Sequence, residues 1–258
     1  MARATFYYQV KEHNDKYKQI EQEILSIFDE NKGRYGYRRI HIALLSKGIS
    51  ISANTVSRLM REMGLKAKGV KRHYHSYKGT VGRIADNVLK RNFTADGPNQ
   101  KWLTDVSQIE IKGKKCYLSP IVDAWTGEVI SYSIFDRPNF EMIRTMLDHA
   151  FTKYPKLDGL IMHSDQGWHY QIPRYQLILR NHHIVQSMSR KGNCLDNAKM
   201  ENFFGLMKKE LLYVNDFEDI ESFKKELRNY IQYYNNTRIK LKLKMSPVEY
   251  RKLHQTQQ

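Results

Sequence analysis

Cysteine is nearly absent from this sequence. Cys116 and Cys194 are the only two, one inside a strand-like run and the other opening a helix-like one, so no disulfide framework is suggested. That usage fits a reducing cytoplasm. Long apolar runs are missing as well: no stretch approaches the roughly 18 residues that cross a bilayer, and Met1 to Lys11 lacks the apolar core of a secretory leader. A soluble, cytoplasmic protein with no membrane partner is expected. Acid is scarce relative to base. Against 43 Lys and Arg stand 27 Asp and Glu, a formal charge of +16 and a pI near 9.7, which calls for a polyanionic partner. Nucleic acid leads, with a solvated basic surface as the plain alternative.

What is present divides by periodicity, and 258 residues are enough for two domains. From Lys16 to Phe28 the residues Ile20, Ile24, Leu25, Ile27 and Phe28 recur at helical spacing. A break at Gly33 and Gly36 precedes a second periodic stretch, Ile40 to Leu45, which Gly48 ends. Ser52 then stands as the N-cap of a third helix from about Ala53 to Met63, with Val56, Leu59, Met60 and Met63 inward, and Gly64 stops it. Helix, short turn and N-capped helix make the pattern of a helix-turn-helix, whose last helix can enter a major groove. Arg58 and Arg61 on that helix are the expected DNA contacts; a packing or protein-contact bundle is the competing reading. The basic run Lys66 to Lys78 interleaves Tyr74 and Tyr77, which suits phosphates and stacked bases as well as a solvated linker.

Beyond Pro98 the pattern turns to strands. Trp102 to Ile111 reads as one strand that puts Leu103, Asp105, Ser107, Ile109 and Ile111 on one face. Cys116 to Ala124 and Glu128 to Phe135, joined by the turn at Trp125 to Gly127, suggest an antiparallel meander. Pro120 within the second run argues for an edge strand or a bulge. A helix from about Glu141 to Lys153, a strand Gly159 to His163, a helix from about Arg174 to Asn181 and a strand Ile184 to Met188 complete a mixed α/β sheet.

Three carboxylates stand out by position. Asp105 lies on the mostly apolar face of its strand. Asp165 follows the run Leu160 to His163, at the carboxyl end of a central strand, where open α/β sheets place their sites. Glu201 sits on a helix read from about Leu195 to Leu212, with Asn197, Phe204 and Lys208 close to it in helical projection. Acids from two strands and one helix can converge on a pair of hard cations, and such a pair can activate both the attacking and the leaving oxygen of a phosphodiester. Each acid also has a duller explanation: a solvent-facing strand residue, a turn residue and a helix-surface charge.

Particular blocks sharpen the reading. Trp102-Leu103-Thr104-Asp105, His163-Ser164-Asp165-Gln166-Gly167, and the run from Ser187 through Ser189-Arg190-Lys191-Gly192-Asn193-Cys194-Leu195-Asp196-Asn197-Ala198 to Glu201-Asn202-Phe203-Phe204 resemble the OrfB half of bacterial insertion-sequence transposases, the DDE enzymes related to retroviral integrases. The family spacing leaves 35 residues between the second and third acids, as do Asp165 and Glu201 here. Lys208 matches its lysine seven residues beyond the glutamate. Arg34-Tyr35-Gly36-Tyr37-Arg38-Arg39 and Asn54 to Met60 resemble the family helix-turn-helix, and Tyr234-Asn235 with Arg238 its C-terminal signature. Between Lys240 and Pro247 that signature runs about one residue short, and Lys240 replaces a histidine.

The resemblance implies a ribonuclease-H-like core over residues 98–212, a helical helix-turn-helix DNA-binding region over 1–66, a basic linker over 67–97 and a C-terminal helical segment over 213–258. It implies metal-dependent DNA cleavage and strand transfer, with Asp105, Asp165 and Glu201 holding two Mg²⁺ (or Mn²⁺) ions and Lys208 on the DNA. Transposon-end and target DNA, further copies of the chain on DNA, and an upstream OrfA-type product or fusion are the implied partners. A non-catalytic DNA-binding regulator and a simple nuclease are the alternatives. Asp123, Asp136 and Asp196 are decoys; turn and helix-start preferences explain Asp123 and Asp196. His163 and His169 bracket Asp165 without a cysteine partner, which makes a weak case for zinc.

Overall fold

The computed structural model describes residues 17–68, 83–190 and 193–255. The basic stretch Lys71 to Lys78, with Tyr74 and Tyr77, lies outside them, as do Lys191 and Gly192. Two compact units divide near Val70.

Among the described residues the first unit has three helices, α1 (Lys18–Glu30), α2 (Tyr37–Ser46) and α3 (Ala53–Glu62). Their periodic residues make the core: Ile24, Ile27, Ile40, Leu44, Val56, Leu59 and Met60 are buried. Ser52 caps α3, its Oγ accepting the Thr55 N–H at 3.1 Å. Gly48 ends α2 with φ +79°, its N–H donating to the Leu45 carbonyl while the next N–H, of Ile49, reaches Leu44. Only glycine takes that left-handed position without strain.

The second unit is a six-stranded sheet: β1 (Lys101–Thr104), β2 (Ser107–Ile111), β3 (Lys114–Asp123), β4 (Val129–Phe135), β5 (Ile161–Ser164) and β6 (Val185–Met188). β3 pairs antiparallel with β4 on one side and with β2 and β1 on the other, and β1, β5 and β6 run parallel. This is the expected mixed sheet. Strand alternation sends neighbours to opposite faces. Leu103, Ile109 and Val122 pack with α7 (Ala198–Met207) and α8 (Ile220–Asn236); Trp102, Ile121 and Met162 pack with α4 (Phe140–Lys153) and α6 (Pro173–Asn181). The short α5 (Trp168–Gln171) follows β5, and α9 (Pro247–Gln255) closes the chain.

Two readings need correction. Trp102 to Ile111 is two strands, broken at Asp105 and Val106. Thr104 faces Ile121 and Ser107 faces Leu118, so one register runs through and the break falls opposite Ser119 and Pro120. Proline has no N–H to give a ladder, and Asp105 Oδ1 takes the Val106 N–H itself at 2.7 Å. Pro120 is therefore not an edge residue; it pairs regularly with Tyr132, and the irregularity in the β3–β4 ladder falls one residue on, between Ile121 and Val122. The proline occupies a strand paired on both sides, at the place where the ladder beyond it is interrupted.

The helix read from Leu195 to Leu212 is also three pieces. A 3-10 turn (Cys194–Asn197) leads into α7, and a π-helical turn (Lys208–Leu212) follows it.

The C-terminal signature docks against the β3–β4 turn. Asn235 exchanges two hydrogen bonds with the Val129 backbone, at 2.9 and 2.8 Å, and Arg238 forms a buried pair with Glu210 at 2.6 Å. Lys240, the departure from the histidine, donates to the Thr126 carbonyl at 3.2 Å. Gly127 has φ +71°, and a Cβ there would collide with the Lys240 ammonium. Arg251 of α9 reaches Glu128 at 2.5 Å and lies 3.2 Å from Asp123, an ion pair among buried residues.

Candidate active site

β1 and β5 are parallel neighbours in a register that sets Leu103 against His163. Continued by two residues, that register brings Asp105 and Asp165 level with each other just past the ends of adjacent strands. Parallel strands lie about 4.8 Å apart, so the two carboxylates are close enough to repel. Burial raises the pKa of Asp105 well above the usual carboxylate range, and the charge of Asp165 adds to it. Burial raises that of Asp165 in the same direction. A turn fixes Asp165: its Oδ1 accepts the Gly167 N–H at 2.8 Å, and a Cβ on Gly167 would stand 2.9 Å from that oxygen.

Glu201 reaches the pair because α7 packs on the sheet face that carries Leu103, through Met200, Phe203, Phe204 and Met207. Its charge and that of Lys208 both act on Asp105, the first raising and the second lowering the pKa. Burial raises the Glu201 carboxyl, and burial lowers the half-buried Lys208 ammonium against the pull of Asp105. The structure thus gathers Asp105, Asp165, Glu201 and Lys208, the four residues singled out from the sequence for this site. Arg58 and Arg61 lie in the other unit. Arg58 is engaged, paired with Glu62 at 2.9 Å and set over the Tyr17 ring at 5.3 Å, while Arg61 is exposed on the same helix.

The sequence sets Asn197 beside Glu201, to orient it or to cap the helix; the structure turns its side chain to Asp105 instead, with no side-chain cap bond. Asn197 Nδ2 donates to Asp105 Oδ2 at 3.2 Å. A carboxylate only accepts, so the amide nitrogen faces Asp105, and Asn197 Oδ1 is left buried with no hydrogen-bond partner. His163, fully buried on β5, bonds through Nδ1 to Ser187 Oγ at 2.9 Å and through Nε2 to the Asp196 carbonyl at 2.9 Å; burial lowers its pKa and favours the neutral ring. His169 meets the Pro138 carbonyl through Nε2 at 3.1 Å. Both histidines are therefore occupied in the protein's own hydrogen bonds. Asp196 is no simple helix-start acid, because it is enclosed by Asn87, Arg91 and Arg190. Its partners Asn87 and Arg91 are about a hundred residues away in sequence, and no local spacing signals them.

The donors at the site are oxygens: three carboxylates and the unpartnered amide oxygen of Asn197. Such a set fits a hard divalent cation better than a thiolate- or imidazole-seeking metal. Among the described residues no three His, Cys, Asp or Glu side chains converge to enclose one ion. Magnesium does not require that, since it keeps several waters and takes one or two carboxylates together with substrate phosphate.

Comparison with known proteins identifies the family. Residues 95–194 and 201–254 each match a family described as integrase core domain, and residues 15–74 match an HTH-like domain. InsK, described as a transposase for insertion sequence element IS150 of Escherichia coli (strain K12), is 49% identical over 252 residues, covering 96% of this chain and 89% of that protein. The transposase for insertion sequence element IS904 of Lactococcus lactis subsp. lactis (strain IL1403) is 37% identical over 227 residues, 86% of this chain and 90% of that one. Among solved structures, a chain of the simian T-cell lymphotropic virus intasome in complex with PP2A regulatory subunit B56 gamma superposes with a TM-score of 0.52 at 17% identity, covering 82% of this chain and 70% of that one. That likeness is one of fold, the ribonuclease-H-like fold of integrases. No helix among the described residues is long and apolar enough to cross a membrane. The chain belongs to the insertion-sequence transposases that carry an integrase core domain behind an HTH-like domain.

Proposed function

We propose that this transposase cuts and joins DNA strands at a metal site held by Asp105, Asp165 and Glu201. The observation that carries the reading is the level placement of Asp105 and Asp165 at adjacent strand ends, with the charges of Glu201 and Lys208 acting on the same carboxylate. Lys208 offsets part of the charge on Asp105, yet burial and repulsion still hold the pKa values of the three acids up. Two divalent ions, Mg²⁺ or Mn²⁺, would supply the balancing charge and activate both the attacking and the leaving oxygen of a phosphodiester.

The chain's own residues have separable tasks in this reading. The three carboxylates hold the ions, Asn197 and the Val106 N–H orient the Asp105 carboxylate by one hydrogen bond to each oxygen, and Lys208 brings a point charge to the DNA strand. Cleavage at a transposon end and attack of the freed 3′ hydroxyl on target DNA are both in-line displacements, so one site serves both. The helix-turn-helix region, residues 1–66, positions DNA through Arg58 and Arg61; residues 67–97 link it to the core of 98–212, and 213–258 brace that core. Copies of the chain assemble on DNA, with an upstream OrfA-type product or fusion completing the machine.

Incubation with labelled transposon-end DNA and Mg²⁺, with and without the upstream fusion, tests this. Nicked and joined strands are expected from the parent protein and not from Asp105→Asn, Asp165→Asn or Glu201→Gln, all of which should still bind DNA. Near-parental joining by one of these variants removes that residue from the site. Binding without any cutting by the parent favours the regulator.

A further inference from the structure

Asp196 has no exposed surface, yet its carboxylate accepts from Asn87 Nδ2 (2.9 Å), Arg91 Nε (2.7 Å), the Arg190 backbone N–H (3.0 Å), Arg190 Nε (2.9 Å) and Arg190 Nη2 (3.1 Å). A carboxylate offers about four lone-pair sites, so it is saturated. The Arg190 side chain, then Arg91, hold it well below the usual carboxylate range. One buried anion needs one cation for balance, and here there are two. Both guanidiniums remain open to solvent, with side-chain exposures of 59% for Arg190 and 43% for Arg91.

A guanidinium has five N–H donors. Arg190 gives two side-chain bonds to Asp196, while Arg91 gives one to Asp196 and one to Asn193 Oδ1 at 2.9 Å; no further partner of either guanidinium is found among the described residues. If the cluster only fastened the loop to residues 87–91, Arg190 and Asn87 would be enough, since their bonds already fill the roughly four lone-pair sites of the carboxylate. What the arrangement does achieve is pre-ordering. Two long side chains with about 2 kcal/mol of rotamer entropy each are already fixed as planar forks, and a ligand meeting them has less disorder to remove.

Their place follows from the chain. Arg190 succeeds Ser189, whose N–H donates to the Ser164 carbonyl at 2.9 Å and whose carbonyl accepts Gln166 Nε2 at 2.9 Å, on either side of Asp165. Asp196 precedes Asn197, which holds Asp105. Arg190 therefore rises from the segment that joins the two aspartates, and Arg91, from residues 87–91, is held beside it by Asp196.

We propose that Arg91 and Arg190, oriented together by Asp196, form a phosphate-binding fork for the DNA strand that enters the carboxylate site. The choice of DNA as ligand rests on the proposed function. Planar guanidiniums match a phosphodiester through paired N–H donors in a way that ammonium groups do not.

The test is equilibrium binding of the full chain to a short labelled DNA duplex in EDTA, across a salt series, for the parent, Arg91→Gln, Arg190→Gln, Arg91→Lys, Arg190→Lys and the exposed control Lys209→Gln, with a melting curve for each. Each arginine-to-glutamine change should lower the slope of log K against log salt by roughly 1. The lysine variants should keep the slope, because the charge stays, and lose affinity, because the fork is gone. Slopes and affinities equal to the parent's in both glutamine variants, whatever their melting temperatures, would reduce the cluster to a loop fastening. Should the glutamine variants fail to fold, parental affinity in both lysine variants overturns the proposal just as well. Because no cutting is needed in EDTA, a chain that never cleaves DNA still reports on the fork, whereas a parent that binds no DNA sinks both readings.

Discussion

Asn197 donates its side-chain amide to Asp105 across 3.2 Å, tying the turn that opens α7 to the break between β1 and β2. The bond joins the helix that carries Glu201 to the strand that carries the first acid, four residues from the one and directly on the other. Partners that orient a metal-binding carboxylate typically contribute 10–100-fold to metal affinity or activity, on the order of other outer contacts. Asn197→Ala should accordingly lower Mg²⁺-dependent joining by roughly that factor and shift the Mg²⁺ titration of thermal stability to higher concentration. Parental metal titration in a folded Asn197→Ala protein would show that the bond is packing alone.

Lys208 and Lys209 are neighbours with unlike surroundings. Lys208 is half-buried and its ammonium interacts with Asp105; Lys209 is exposed. Both stand in the π-helical turn after α7, so ideal helical angles stop applying at Met207. The electrostatic contact still puts Lys208 on the acids' side. Lys208→Ala should cut cleavage and joining much more than Lys209→Ala, with equal melting temperatures. Equal, mild losses from the two would return Lys208 to the general basic surface.

The sequence made some of this legible and hid the rest for physical reasons. Helix α3 was readable because Ser52, the run Val56, Leu59 and Met60, and Gly64 are local signals, and a cap, a face and a stop interact within a few residues. Asp165 was readable as a strand-end acid for the same reason, whereas Asp105 was placed inside one continuous strand. What joins the two was not readable. Arg91 meets Asp196 and Arg251 meets Glu128 across more than a hundred residues, and an acid's distant partner leaves no periodic trace. Asp123 was partly read: its Oδ1 does cap the turn at Trp125 and Thr126, but its other oxygen serves Asn99. The break at Asp105 was hidden because its cross-strand neighbours Ser119 and Pro120 are distant in sequence and adjacent only once the register is set.

Arg251 stands between two buried acids, Asp123 and Glu128, and the Glu128 carboxylate also takes the Lys153 ammonium at 2.7 Å. Removing one partner of a buried ion pair leaves an uncompensated charge, which costs about 3–5 kcal/mol. Arg251→Met should therefore reduce unfolding free energy by about that much in denaturant titration, and Glu128→Gln added to it should recover part of the loss. A change indistinguishable from zero in Arg251→Met would mean that α9 is not held by this pair.

Lys240 supplies a pH test of how the C-terminal signature docks. Burial, with help from the Arg238 charge, lowers its pKa from the ordinary 10.5 to about 8, while the Asp123 charge opposes the shift. A depressed lysine means that the folded state disfavours the charged form. Between about 8 and 10.5 the unfolded chain holds a proton at Lys240 that the folded chain has released, so stability rises with pH across that window and is lowest below it. Lys199 behaves alike: burial first, then the Lys240 charge, lower it to about 8, and its amine gives two hydrogen bonds, to the Phe93 and Ala124 carbonyls at 2.7 Å each. Tyr234, pushed up to about 12 mainly by burial, works in the opposite sense above its ordinary value, because the unfolded chain loses that proton first. The parent's total slope thus mixes signs, and the informative quantity is the difference between parent and Lys240→Met. That difference should show the parent gaining stability relative to the variant from about pH 8 to 10.5, by up to about 3 kcal/mol, measured by denaturant titration at several pH values. Parallel stability curves for the two proteins over that range would show that the Lys240 amine titrates as it does in water and is not enclosed against the Thr126 and Gly127 carbonyls.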